Sequence, residues 1–158
     1  MTKDKPDKAA YSRIDGVIRA FYECISGPPG GQDWDRDREL FHPRALITRT
    51  RIVDGRPVAF ALTFDEFMAA TIPLLAGKSF YEIETRRSTQ RFGQIAHVMS
   101  AYEARELPDA KKVQFRGINM IHLWHGSLSD DTPERWWIMS IIWDNERDGV
   151  KIKKHWFD

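Results

Sequence analysis

The chain has 158 residues, with 24 Lys and Arg against 23 Asp and Glu for a formal net charge of +1, and 42% of it is hydrophobic. That length suits one globular domain around one core, and the charge balance excludes a broad basic surface of the kind that neutralises the phosphates of nucleic acid or anionic lipid. Neither nucleic acid nor a membrane is expected as a partner. No apolar run reaches the roughly 18 residues that span a bilayer, and no apolar segment follows the charged start MTKDKPDK, so a cytoplasmic location is expected. Cys24 is the lone cysteine, and no Cys/His cluster has ligand spacing, so neither an internal disulfide nor a metal is expected, and no cofactor. Of the six tryptophans, Trp124, Trp136, Trp137 and Trp143 crowd into a short C-terminal stretch.

Residues 1–10 read as a polar, disordered leader, and residues 11–158 as a single domain. From Ser12, the residues Ile14, Val17, Ile18, Phe21, Tyr22 and Ile25 fall on one helical stripe. The helix ends at Gly27-Pro28-Pro29-Gly30-Gly31. Asp33 can cap a short second helix that stops at Phe41-His42-Pro43. Strand-type runs at 45–53 and 57–62 flank Asp54-Gly55, a hairpin turn signal. Thr63-Phe64-Asp65-Glu66 has the form of a capping box and opens a helix burying Phe64, Phe67, Met68, Thr71, Ile72 and Leu75, with Pro73 inside and Gly77 at its end. Four long strand-like runs follow, at 80–92, 94–106, 112–125 and 134–145, separated by turn chemistry. Residues 150–158 alternate weakly and extend the sheet edge or fold back over it. Helices followed by a strand meander define an α+β class, with one curved antiparallel sheet wrapped over the helices.

Five segments carry a resemblance: Phe21-Tyr22 in a long amphipathic helix, Leu40-Phe41-His42-Pro43 before the first strand, Thr63-Phe64-Asp65-Glu66-Phe67, the strand Ile95 through Glu103, and Arg135-Trp136-Trp137-Ile138. In this order they resemble the nuclear transport factor 2-like superfamily over nearly the whole chain, above all its small bacterial members described as polyketide cyclase-like or ketosteroid isomerase-like. The resemblance implies a cone-shaped, cystatin-like fold with an apolar pocket inside the sheet and often a homodimer through its convex face. It leaves activity open, because the superfamily holds isomerases, dehydratases, cyclases and non-catalytic modules.

Strand parity assigns the faces. Ala96, Val98, Ser100, Tyr102 and Ala104 form the uncharged, inward set of one strand, and Asn119 shares an inward row with Ile121 and Leu123. In the last run neither face is polar: Trp136, Ile138, Ser140 and Ile142 alternate with Trp137, Met139, Ile141 and Trp143. A sheet covered on both faces follows, and Ile118, Met120, Trp124, Trp137, Met139 and Trp143 become the expected interface of a homodimer. Covering of that face by the C-terminal tail is the competing reading.

Tyr22, Ser100, Tyr102 and Asn119 are thereby expected to meet a small apolar ligand. In ketosteroid isomerase-like members a Tyr donates to a developing enolate oxygen, so Tyr22 and Tyr102 are catalytic candidates; otherwise they are core aromatics with satisfied hydroxyls. No inward carboxylate accompanies them in the last three strands. Asn119 needs a partner, either Tyr102 or Ser100 or a ligand. His42 could rim the pocket as a base, and His97 is a further candidate although parity turns it outward. Glu82, Glu84, Arg86 and Arg87 read as a solvated or interfacial charge ladder. The function expected is binding of a small apolar or polycyclic molecule, with cofactor-free acid/base chemistry of isomerase, dehydratase or cyclase type within its range; the alternative is a non-catalytic dimeric interaction module.

Overall fold

The computed structural model describes residues 8–158. Most of the expected leader therefore lies outside the described residues, and its last residues belong instead to a 3-10 turn, Lys8–Ser12, that seats Tyr11 in the core. Helix α1 (Ile14–Ile25) buries Val17, Ile18, Phe21, Tyr22 and Ile25 along the apolar stripe read from the sequence. Helix α2 (Trp34–Leu40) starts where the Asp33 side chain accepts the Arg36 backbone N–H. Strand β1 (Phe41–Val53) turns through Asp54 and Gly55, both at positive φ, into β2 (Arg56–Leu62). The capping box of helix α3 (Phe64–Leu75) is formed in both directions, Thr63 to Glu66 and back. Phe64, Thr71 and Leu75 are buried there, whereas Ile72 is exposed.

Strands β3 (Tyr81–Phe92), β4 (Ile95–Arg105), β5 (Phe115–Gly126) and β6 (Arg135–Asn145) complete a six-stranded sheet in the order β2-β1-β6-β5-β4-β3. The fold is α+β, a curved open sheet over the N-terminal helices. Pairing is antiparallel except where β1 lies parallel to β6, the strand the chain reaches only after the whole meander. The core joins α1 to the concave face: Val17, Ile18 and Phe21 meet Val98, Ile121, Leu123 and Ile138. Among the described residues no helix is long and apolar enough to cross a membrane.

Two bulges decide which side chains face inward. In β3, Glu84 pairs with Tyr102 and Arg86 with the adjacent Ala101, so Thr85 is an extra residue. In β6, Ser140 pairs with His122 and Ile138 with Leu123, so Met139 is the extra one. One inserted residue reverses the alternation beyond it. The inward row of β6 therefore runs Trp136, Ile138, Ile141, Trp143, Asn145. This corrects the parity reading: Trp143 lies inside against Phe67, with ring centroids 6.2 Å apart, and not on the outer face. It also explains why neither face of that strand looked polar, since each alternating set mixes inward and outward residues.

The outer face carries Ile118, Met120, Trp124, Trp137 and Met139, all half-buried. The C-terminal tail is not an edge strand. Ile152 and Trp156 line a groove with Ile118, Met120 and Ile142, and the 3-10 turn Lys154–Phe157 packs on β3, so the tail crosses part of the convex face.

Candidate functional site

The concave face and the helices enclose a cavity of about 470 Å³. That volume lies within the range of small-molecule sites. Phe21 and Ile25 of α1, Phe67 and Leu75 of α3, Ile47 of β1, and Ile141 and Trp143 of β6 give it apolar walls. Its polar lining comprises Glu82, Tyr102, Asn119 and Asn145 from the sheet, Thr71 from α3, Thr50, Ser79 and Gln114, and charged residues nearer the solvent.

Glu82 is the group that the charge-ladder reading misplaced. The Thr85 bulge turns Glu82 and Glu84 inward, where they pair across the sheet with Ala104 and Tyr102. Burial pushes the Glu82 carboxyl up from 4.5 to about 8, and a hydrogen bond from Asn119 only partly opposes this. The hydrocarbon walls supply the physical cause, because a charged carboxylate there exchanges water for apolar contacts. With no cation among the described residues lowering its pKa, Glu82 holds its proton near neutral pH.

Behind the cavity wall runs a directional chain of hydrogen bonds. Asn119 Nδ2 donates to the Tyr22 hydroxyl at 3.1 Å, Tyr22 shares a 2.7 Å bond with Ser100, and Ser100 Oγ donates to Glu84 Oε1 at 2.6 Å. Since the Ser100 proton goes to Glu84, Tyr22 is the donor to Ser100. Arg87 closes the chain with a fork on Glu84, through Nε at 2.8 Å and a terminal nitrogen at 2.6 Å, and also pairs with Asp15. Arg87 thus belongs to the same inward row. Burial, then the nearby Glu82, holds the Tyr22 hydroxyl protonated.

This chain separates the four expected ligand residues. Tyr102 and Asn119 line the cavity; Tyr22 and Ser100 do not, and their hydroxyls are committed to each other and to Glu84. Asn119 pairs with Tyr22 and not with Tyr102 or Ser100. Tyr102 instead donates to Asn145 Oδ1 at 2.7 Å, reaching across Gly117. A Cβ on Gly117 would stand 2.5 Å from the Tyr102 oxygen, so only glycine lets the hydroxyl pass. Thr71 is buried on the cavity wall, and its hydroxyl has no hydrogen-bond partner among the described residues.

Two candidate bases lie elsewhere. His42 accepts the Arg44 backbone N–H and sets its ring edge against Trp124, on the side of β1 opposite the buried Phe41, so it does not rim the cavity. His97 faces His122 across the outer side of the sheet, with ring centroids 5.0 Å apart, and burial followed by His122 lowers its pKa. Glu82 and Glu84 were legible in the sequence only as charges beside a hairpin. From the turn at Gly93, an unbroken ladder pairs Thr85 and Ile83 with the inward row and sends both acids outward.

No protein-family model matches the chain, and no curated protein does. Solved structures do. An NTF2-like protein of unknown function from Pseudomonas putida is 8% identical, with 98% of this chain and 95% of that one covered at a TM-score of 0.63. A candidate dehydratase from the NTF2-like family of Streptomyces avermitilis is 14% identical, covering 90% and 99% at 0.59. A candidate ketosteroid isomerase from Shewanella frigidimarina is 18% identical, covering 87% and 96% at 0.53. At these identities the likeness establishes the fold, which is nuclear transport factor 2-like, and leaves the chemistry to the site.

Proposed function

We propose that the cavity binds a small apolar or polycyclic molecule and that Glu82 transfers a proton to or from it. The observation that carries this reading is a carboxyl on an apolar wall, pushed up to about 8. A proton-transfer group works best when its pKa lies near the operating pH, and burial has brought Glu82 there. As a base, the ionised fraction of Glu82, a minority below its pKa of about 8, takes a proton from an acidified carbon of the ligand and becomes the neutral acid. It can then return that proton to a second atom of the same molecule, the net change of an isomerase, or to a leaving hydroxyl, that of a dehydratase. Tyr102 and Asn119 touch the ligand; Tyr22 and Ser100 are positioning residues that fix Asn119 through the hydrogen-bond chain. The unpaired Thr71 hydroxyl supplies one further anchor on the opposite wall.

Carbon-detected NMR of side-chain carboxyls tests this, with Glu82→Gln assigning the signal. The expected midpoint near 8 moves when the cavity is saturated with phenylnaphthylamine, a neutral apolar probe. A midpoint in the ordinary glutamate range, or one indifferent to the bound probe, overturns the reading.

A second reading concerns the convex face, where Leu46, Ile95 and Ile142 are 47%, 59% and 42% exposed beside Met120, Trp124 and Trp137. We propose that a second copy of the chain covers Trp124, Trp137 and Met139, and meets Ile118 and Met120 at the groove they share with the tail. Aromatic and Met anchors are what such an interface uses. Sedimentation at micromolar concentration should give a dimer that Trp124→Glu dissociates; a monomeric wild type refutes it.

A further inference from the structure

The charged residues of the cavity are divided unequally along its length. Glu82 stands among the apolar walls, whereas Arg51, Lys78 and Glu106 are exposed and so mark the mouth. Arg49 lies between, half-buried on the β1 wall, one strand across from Trp143 in the parallel register. The mouth therefore carries three cations against one carboxylate. The cations are not consumed by the protein: among the described residues neither Arg49 nor Lys78 has an ion-pair partner, and Arg51 only stacks over the Phe60 ring at 5.0 Å. Most other arginines near the cone are engaged. Arg36, Arg38 and Arg87 each hold a carboxylate, and Arg135 stacks on Tyr11 and Trp137. The mouth cations also stand apart from Glu82, whose proton affinity is opposed by Asn119 and by no positive charge.

We propose that the ligand is an amphipathic anion, an apolar ring or chain that enters the cavity with a carboxylate, sulfonate or phosphate group left at the mouth on Arg49, Arg51 and Lys78. The rationale is electrostatic. A half-buried guanidinium at the edge of an apolar cavity has lost part of its water and gains most from an anion with planar or tetrahedral oxygens. An anion there is also held away from Glu82, so the proton-transfer group keeps its apolar surroundings while the ligand is bound. This deepens the reading of the cavity as a ligand site and rests on it.

Two fluorescent probes with the same rings separate the inferences: anilinonaphthalene sulfonate, which carries the anion, and phenylnaphthylamine, which does not. The sulfonate should bind about tenfold more tightly, as expected for hydrogen bonds to a charged group. Arg49→Gln and, independently, Lys78→Gln should each erase several-fold of that preference while leaving the neutral probe's affinity unchanged, with circular dichroism confirming the fold. Equal affinity for the two probes, or a preference insensitive to both substitutions, overturns the anion assignment and leaves the apolar cavity standing. Failure of both probes to bind overturns the ligand-site reading itself.

Discussion

Replacing Glu82 by Gln removes one titrating group while keeping its shape and its neighbour Asn119. The folded protein binds the Glu82 proton more tightly than the unfolded chain does, because the folded value is raised from 4.5 to about 8. The stability contributed by the protonated carboxyl is therefore fully present below pH 4.5, falls as the pH rises through the interval, and is lost above about 8. The whole interval from 4.5 to about 8 corresponds to at most about 5 kcal/mol. Water entering the open cavity relaxes part of the burial, which leaves about 2 to 4 kcal/mol as the expected difference. Asp37, fully buried and raised first by its burial, then by Asp33 and Glu82, adds a slope of the same sign whose largest cause, burial, is common to both proteins. Urea unfolding of wild type and Glu82→Gln, followed by tryptophan fluorescence between pH 4 and 9, measures the difference directly. Wild type should lose stability relative to the variant as pH rises. Parallel stability curves would show that Glu82 titrates as an ordinary surface acid and would remove the reason for assigning it proton transfer.

Two further substitutions probe the same wall. Gly117→Ala places a methyl 2.5 Å from the Tyr102 hydroxyl and 2.6 Å from Asn145 Oδ1. It should cost about 1 to 3 kcal/mol by overpacking. The cost should shrink in a Tyr102→Phe background; an undiminished cost would place the crowding elsewhere, such as the Asp144 carbonyl. Thr71→Val should change stability by no more than about 0.5 kcal/mol, because the hydroxyl it removes has no partner among the described residues, yet it should weaken binding of a ligand that hydrogen-bonds there. Ser100→Ala is the contrast, since it takes away the acceptor of the buried Tyr22 hydroxyl proton and one donor to Glu84, and it should cost about 1 to 3 kcal/mol. Equal effects of the two in chemical denaturation would contradict the hydrogen-bond assignment.

Local chemistry in the sequence determined the order of the elements. The helical stripe from Ile14 to Ile25, the Asp33 cap, the Thr63 capping box and the Asp54-Gly55 turn each depend on residues a few positions apart, and each is where its neighbours require it. The α+β class followed from that order. Strand parity also placed Tyr102 and Asn119 correctly, because β4 and β5 pair without a break. What the sequence left open was every residue beyond a bulge. Thr85 and Met139 are inserted where the sheet must bend around the helices, and the need for that bend arises only once the strands are packed together. Each insertion reverses the row that follows it. One brought Glu82 from an apparent surface ladder into the cavity, and the other moved Trp143 from an apparent interface to the cavity wall. The tertiary structure thus decided the two features on which the proposed chemistry depends, a carboxyl on an apolar wall and the aromatic surface opposite it.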